Sequence, residues 1–216
     1  MIKVITVERE YGSQGAEFAA HLAHHLGWKL VDHCLIDQVA AMAGVTPEQV
    51  ADYDERTDPW YQRVGRAFMQ GDMQPAPGGV PANAMFDSEM MNALVQKTIR
   101  AEAEAGHCVI VGRGASSILN GVPGVFHIFV YASLPRKIRW FTEHFPEKAK
   151  HAEQEILATD RRRSEYVRRY HHHDWADRHL YHLLLNSCMG NEALVGATLE
   201  ATGLTHAVTL EEQSAE

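Results

Sequence analysis

The sequence predicts an α/β fold, a five-stranded parallel sheet with helices on both faces. Short apolar runs rich in β-branched residues alternate with helical patterns, as expected of a parallel sheet that is covered on both sides. A chain of 216 residues with 45% hydrophobic content also suits one sizeable domain that buries its own core. The strand-like runs are 3–7, 29–31, 108–111, 125–131 and 181–186.

The first run leads into a short glycine loop, Gly12-Ser-Gln-Gly15, and then into an amphipathic helix that Gly27 ends. Backbone N–H groups of such a loop point inward and the helix adds its positive end, so an anion is favoured there. The usual phosphate loop reads G-x-x-x-x-G-K-[ST]. Here Gly15, Ala16 and Glu17 stand where the lysine and the hydroxyl are expected. A purely structural turn is therefore an open alternative.

The middle of the chain predicts two helices and an irregular segment between them. Thr46-Pro-Glu-Gln49 is a capping box that begins a helix, and a second helix runs from about 87 to 105 and ends at Gly106. Residues 69–84 are rich in Gly, Pro, Gln and Met and have no period. They are either a disordered surface loop or part of an insertion that covers a substrate.

Arg113 follows the third strand between two glycines, at the edge where ligands bind in open α/β sheets. A guanidinium there suits bidentate binding of phosphate, although a surface arginine in a tight turn is the alternative. Further on, Ser133 is expected to cap a helix through His144, and Pro146 to begin a long basic helix. Within that helix Asp160 and Arg163 share a face.

The segment 161–174 contains five arginines and three histidines. Its polar, charged character and small apolar surface predict a mobile lid that closes on a ligand. Apart from Arg163, at least half of the arginines of the segment are expected to lie on a solvated helix face.

Composition narrows the functional class further. Three cysteines without CxxC spacing predict neither a disulfide framework nor a zinc site, and favour a reducing cytoplasm. Two of them, Cys108 and Cys188, border apolar runs and are expected in the core. We find no secretory leader and no apolar run of membrane-spanning length, which predicts a cytoplasmic protein without a membrane partner. A net charge of −8 argues against a nucleic-acid-binding surface, whereas the arginines crowded between 136 and 178 favour a small anionic ligand.

Taken in order, six motifs resemble the cytidylate-kinase-like family of P-loop proteins over nearly the whole chain. The resemblance implies a single domain over 1–216 with a nucleoside-monophosphate-kinase fold. It implies a phosphate loop after the first strand, a helical acceptor-binding insertion over about 45–105, and an arginine-bearing lid over about 155–178. The six motifs are Thr6–Glu17, Leu30–Asp32, Val111–Ala115, Val130–Ala132, Asp160–Arg163 and Asp174–Trp175.

The resemblance also implies roles for individual positions. Arg9, Arg113 and Arg163 match arginines that neutralise phosphate charge, whereas Asp32, Gln38 and Lys137 fall on the acceptor side. Authentic cytidylate kinases have a lysine in the loop, where this sequence has Gly15, and an acceptor-phosphate arginine where it has Gln38. Gln14 replaces a glycine that is usual even in the branch that this chain resembles. Glu17 and Asp32 are candidates for holding Mg²⁺ directly or through water. The matched phosphate loop comprises Gly12, Ser13, Gln14, Gly15 and Ala16.

The function that the resemblance implies is an ATP- and Mg²⁺-dependent transfer of a phosphoryl group to a nucleoside monophosphate or a similar small acceptor. Since the loop lysine is missing, we expect Arg9 to supply the fixed cation from the other side of the turn. A non-catalytic nucleotide-binding or regulatory module is the alternative. The expected partners are small-molecule nucleotides, and the oligomeric state stays open, a homo-oligomer included.

Overall fold

The computed structural model describes residues 1–32 and 88–204. In these residues five strands pair in parallel in the order β2-β3-β1-β4-β5, so the predicted fold class is confirmed. The strand β1 lies at the centre of the sheet, between β3 and β4. The strands are β1 Val4–Arg9, β2 Lys29–Val31, β3 Cys108–Val111, β4 Val125–Tyr131 and β5 Leu183–Asn186.

Six α-helices and three short 3₁₀ segments accompany the strands in the described part of the chain. The helices are α1 Gly15–Leu26, α2 Ser88–Ala105, α3 Ala115–Ile118, α4 Leu134–His144, α5 Ala152–His171 and α6 Asn191–Thr202. The 3₁₀ segments are Pro146–His151, Arg178–Leu180 and Ser187–Met189. The predicted helix at 46, the segment 69–84 and Gln38 lie outside the described residues.

Three boundaries differ from the sequence prediction. The strand β1 extends to Arg9 because its pairing with β4 continues through Glu8 and Arg9, whose charge hid the strand pattern. The strand β5 begins at Leu183, where its pairing with β4 begins opposite Ile128. The long basic helix begins as a 3₁₀ segment at Pro146 and becomes α-helical at Ala152.

The chain divides into two compact units, Met1–Asp32 with Ile99–Glu216, and His33–Thr98. Of the second unit, only the part of α2 up to Thr98 belongs to the described residues. The first unit contains the whole sheet and all the arginines discussed below. No helix in the described ranges is long and apolar enough to cross a bilayer.

The alternation of side chains along β1 determines what faces each side of the sheet. Ile5 and Val7 belong to the core cluster that includes the buried side chains of α1 and α6. Thr6 and Glu8 face the opposite side, where Thr6 bonds the Ser116 hydroxyl at 2.8 Å and Glu8 meets the Trp175 indole. The last two residues of β1, Glu8 and Arg9, therefore point to opposite faces at the same edge of the sheet.

The cysteine prediction is half right. Cys108, in β3, is buried as expected. Cys188 is exposed because the chain leaves the sheet at the 3₁₀ segment that follows β5, so its placement in the core was wrong.

Candidate phosphate-binding site

The glycine loop between β1 and α1 is a tight, internally bonded turn. The backbone N–H and the hydroxyl of Ser13 both donate to the Glu10 carbonyl, at 3.3 and 2.8 Å. Gly12 has φ +79°, and a Cβ there would lie 3.3 Å from the Trp140 ring, so the turn packs closely on α4. Gln14 follows in the left-handed region. The Ser13 hydroxyl is thus engaged within the loop itself.

The first turn of α1 offers backbone donors at this edge of the sheet. The first bond of the helical pattern runs from Phe18 N–H to the Gln14 carbonyl at 3.0 Å. The N–H groups of Gly15, Ala16 and Glu17 precede it and have no acceptor within the helix. Together with the positive end of a twelve-residue helix they favour an anion. The exposed Glu17 carboxylate accepts a bond from the Gln14 amide at 3.2 Å.

Arg9 occupies the space above the position where a phosphate loop usually has its lysine. A Cβ added to Gly15 would lie 2.5 Å from the Arg9 Cβ and 3.1 Å from its Cγ. The Arg9 guanidinium lies directly against Gly112, at the start of the loop after β3, where no side chain has room. The arginine therefore reaches from the glycine loop to the β3 loop, and its stem excludes any side chain at position 15.

The β3 loop holds Arg113 in an uncommon backbone conformation. Gly112, Arg113 and Gly114 all have positive φ, at 71°, 61° and 69°. A non-glycine residue in this region is infrequent and often marks a functional constraint. Arg113 lies near Tyr166 of α5, whose pKa is raised by burial and lowered less strongly by the Arg113 charge. The His171 ring packs against Gly114, so a Cβ there would lie 2.5 Å from the ring.

Arg163, from α5, joins the other two arginines at this edge. Its Nη1 donates to the Arg9 carbonyl at 2.6 Å, and its guanidinium lies 5.7 Å from the centre of the Tyr11 ring. One turn earlier, the Asp160 carboxylate accepts a bond from the Tyr11 N–H at 2.7 Å. The shared helix face predicted for Asp160 and Arg163 thus faces the glycine loop. Arg163 thus bonds the Arg9 backbone, and the Arg9 guanidinium reaches Gly112, the residue before Arg113.

Lys137, which the family resemblance places on the acceptor side, has two carboxylate partners within this chain. Its ammonium lies 3.0 Å from Glu10 Oε2 and 3.0 Å from Asp160 Oδ2, and the residue is 5% exposed. Burial raises the pKa of Asp160, while the Tyr11 N–H and Lys137 oppose that rise. The ammonium therefore ties α4 to the glycine loop and to α5. A role in acceptor binding stays a prediction.

The predicted lid segment contributes an apolar side chain to a buried cluster, although its many arginines suggested a wholly polar segment. Val167 is buried, and the adjoining Trp175 packs on Phe129 with a ring separation of 5.2 Å. These residues form one core cluster with Leu180 and Tyr181. The expectation of little apolar surface was therefore wrong for this end of α5. Mobility of the segment stays a prediction.

Two residues at the site escaped the sequence reasoning. Glu8 is 3% exposed and accepts a bond from the Trp175 indole at 3.1 Å. Alternation along β1 places it on the face of buried Thr6, a signal that could have revealed it. Arg136 donates to the Gln14 side chain at 3.4 Å and to a backbone carbonyl at 3.3 Å. It lies in the first turn of α4, the helix that follows β4.

The candidate magnesium ligands lie on separate elements. Asp32 follows the edge strand β2, which β3 separates from β1, whereas Glu17 lies in the first turn of α1. Within residues 1–32 and 88–204, no group of three or more His, Cys, Asp or Glu side chains could hold a metal ion. Mg²⁺ is usually bound through one or two carboxylates plus substrate phosphates, and a role of Glu17 or Asp32 in holding it stays a prediction.

A five-stranded parallel sheet with a glycine loop after its central strand defines a P-loop kinase fold. The chain belongs to the cytidylate kinase-like family, whose model matches residues 4–188. Family membership supports a phosphotransferase as the general class. No curated protein matches the sequence.

Two crystal structures illustrate the fold. An uncharacterized protein from Eubacterium ventriosum is similar with a TM-score of 0.66 and 20% identity, covering 94% of this chain and 99% of that one. Shikimate kinase from Bacteroides thetaiotaomicron is similar with a TM-score of 0.52 and 13% identity, covering 93% and 98%. At these identities the likeness concerns the fold alone.

Proposed function

We propose that this protein is an ATP- and Mg²⁺-dependent phosphotransferase that acts on a nucleoside monophosphate or a similar small phosphorylated acceptor. One observation carries the proposal: Arg9 lies over Gly15 and reaches Gly112, so a cation stands beside the loop that lacks a lysine. Phosphoryl transfer depends mainly on positioning and on neutralising charge on the moving group. A strand-borne arginine supplies both, because the register of β1 and β4 fixes its backbone.

The other two arginines have complementary places around the same edge. Arg113 stands on the β3 loop beside Gly112, and Arg163 approaches from α5 and bonds the Arg9 backbone. Three guanidinium groups with the first-turn N–H groups of α1 suit a ligand with several phosphate oxygens. A magnesium ion bound with the nucleotide would neutralise further phosphate charge, with Glu17 or Asp32 as its protein ligands.

A screen of ATP depletion across nucleoside monophosphates and other small phosphorylated acceptors tests the activity. The expected result is acceptor-dependent consumption of ATP that requires Mg²⁺. A thermal-shift measurement with ATP runs in parallel, because a ligand that binds only the folded state stabilises it by about 2.7 kcal/mol at 100 times its dissociation constant. A protein that neither consumes ATP nor gains stability from it would refute the proposal.

Substitution of Arg9 tests the residue that carries the proposal. Arg9→Ala is expected to lower kcat by on the order of 10²–10³, as removal of a preorganised charge-stabilising donor does elsewhere. Arg9→Lys is expected to recover part of that loss, because the charge returns without the bidentate fork. Arg161→Ala is the matched control, since Arg161 is exposed and pairs with Glu165 one turn further along the same helix. An Arg9→Ala enzyme as active as the control would exclude this role.

A non-catalytic nucleotide-binding module is the second candidate, and the loop itself favours it. The N–H groups of Tyr11 and Ser13 bond acceptors within the protein, Asp160 and Glu10, and position 15 has no side chain. This candidate predicts a thermal shift with ATP and no ATP consumption with any acceptor. The two measurements above therefore separate the two functions.

A further inference from the structure

Lys137 is a buried ammonium that bonds carboxylates of its own chain. The residue is 5% exposed, and its Nζ lies 3.0 Å from Glu10 Oε2 and 3.0 Å from Asp160 Oδ2. Glu10 Oε2 also accepts the Ala132 N–H at 3.1 Å, which connects that carboxylate to the end of β4. Burial of an ammonium is costly unless it is paired, and two carboxylates provide the pairing here. A ligand at Lys137 would have to compete with both of them.

Asp160 bonds two different elements with its two oxygens. Its Oδ1 accepts the Tyr11 N–H of the glycine loop at 2.7 Å, and its Oδ2 accepts a bond from Lys137 of α4 at 3.0 Å. The side chain is 16% exposed. Because one carboxylate makes both bonds, α4, α5 and the loop are connected at this residue.

Arg163 makes the next contact from the same face of α5. Its Nη1 donates to the Arg9 carbonyl at 2.6 Å. The helix therefore binds the chain on both sides of Glu10, at the Arg9 carbonyl and at the Tyr11 N–H. Since residues three apart on a helix are neighbours, a fixed Asp160 also fixes where α5 presents Arg163.

We propose that Asp160 and Lys137 are positioning residues, which hold α5 on the glycine loop so that Arg163 is in place at the Arg9 backbone before a phosphate binds. The proposal rests on the proposed function, since it assumes that Arg163 binds a nucleotide phosphate. A cation that is already in place costs less to order when the ligand arrives. Lys137 thereby has a different role from the acceptor binding that the family resemblance implies.

Titration calorimetry with ATP and Mg²⁺, without an acceptor, tests this role in Lys137→Met. Methionine keeps an unbranched stem and removes the ammonium. The variant is expected to bind ATP about threefold to tenfold more weakly, because a displaced Arg163 loses part of a charge-assisted bond to phosphate. If Lys137 only bound the acceptor or only stabilised the fold, the ATP affinity of the folded variant would equal that of the parent.

A double-mutant cycle with Arg163→Ala shows whether the effect depends on that arginine. In the Arg163→Ala background, Lys137→Met is expected to weaken ATP binding by less than about twofold. A direct attraction between the Lys137 charge and ATP would instead persist in both backgrounds.

Arg139→Met is the matched control for Lys137→Met. It removes an exposed cation from the same helix, two residues further along, and should leave the ATP affinity as in the parent. Asp160→Asn is the second variant, since it keeps an oxygen for the Tyr11 N–H and loses the charge that pairs with Lys137. Circular dichroism and a melting curve establish that each variant is folded.

Each outcome decides the question. The proposal is overturned if folded Lys137→Met binds ATP as Arg139→Met does, if its loss multiplies with that of Arg163→Ala, or if Arg163→Ala itself binds ATP as the parent does. If Lys137→Met does not fold, Asp160→Asn takes its place in the cycle under the same criteria. In all these cases ATP binding by the parent leaves the proposed function standing, whereas a parent that binds no ATP refutes both.

Discussion

Gly15→Ala is the change that most directly tests why the loop has no lysine. Gly15 begins α1 with an ordinary backbone conformation, so a side chain there meets only a steric obstacle. The new Cβ would lie 2.5 Å from the Arg9 Cβ and 3.1 Å from the Val130 Cβ. The nearest atom is the root of the Arg9 side chain and not its flexible end, so the backbone of β1 or α1 must move. Overpacking of this kind typically costs about 1–3 kcal/mol.

Urea denaturation of Gly15→Ala and Gly196→Ala measures the effect against a matched glycine. Gly196 lies in α6 with no atom near its would-be Cβ, so alanine there should stabilise the protein by roughly 0.5–1 kcal/mol. We expect Gly15→Ala to lower the free energy of unfolding by about 1–2 kcal/mol despite the same helix preference.

A double-mutant cycle identifies the cause. In an Arg9→Gly background the obstructing Cβ is gone, and Gly15→Ala should then cost less by about 1 kcal/mol or more. Arg9→Ala would not serve, since it keeps the Cβ. If Gly15→Ala is as stable as Gly196→Ala, or if the cycle shows no coupling, Arg9 does not exclude a side chain at position 15.

Three further predictions concern the core and the thiols. Burial lowers the pKa of His127 from 6.5 to about 4, so the folded protein favours the neutral ring. The free energy of unfolding should therefore fall by about 3 kcal/mol as pH drops from above 6.5 towards 4. His127→Gln should reduce this dependence on pH in urea denaturation. Trp175→Phe keeps the packing but removes the donor to Glu8, and should lower the free energy of unfolding by about 1–3 kcal/mol in the same assay. Exposed Cys188 should be alkylated at pH 8 well before buried Cys108, whose pKa burial raises to about 11, as peptide mapping will show; equal rates would contradict the burial.

The sequence predicted those parts of the fold that depend on local pattern. Apolar runs located the five strands, and the glycines at 12 and 15 located the turn between β1 and α1, because period and backbone freedom are properties of neighbouring residues. The path of the Arg9 side chain is different. The position of its Cβ and Cγ depends on how β1 packs on α1, which is tertiary structure. Its contact with Gly112 joins positions more than a hundred residues apart in the chain.

Charged residues were the least predictable part of the site. A lysine after the fourth strand suggests a ligand, yet Lys137 is buried between Glu10 and Asp160, which belong to the loop and to α5. The sequence shows the three charges but not their convergence. Glu8 was overlooked for the opposite reason, since a charged residue at a strand end is usually solvated, whereas here Trp175 and the β3 loop enclose it.

The origin of the cation distinguishes this site from the usual phosphate loop. A loop lysine stands at the start of the helix and approaches phosphate as a flexible point charge. Arg9 stands on the central strand, so the sheet fixes its backbone through the pairing with Val130. Its carbonyl also accepts the bond from Arg163 at 2.6 Å, which connects α5 to the same residue. A displacement of α5 that breaks this bond therefore moves Arg163 away from Arg9. Under the proposed function, the position of the helix would then determine whether both cations act on one phosphate group.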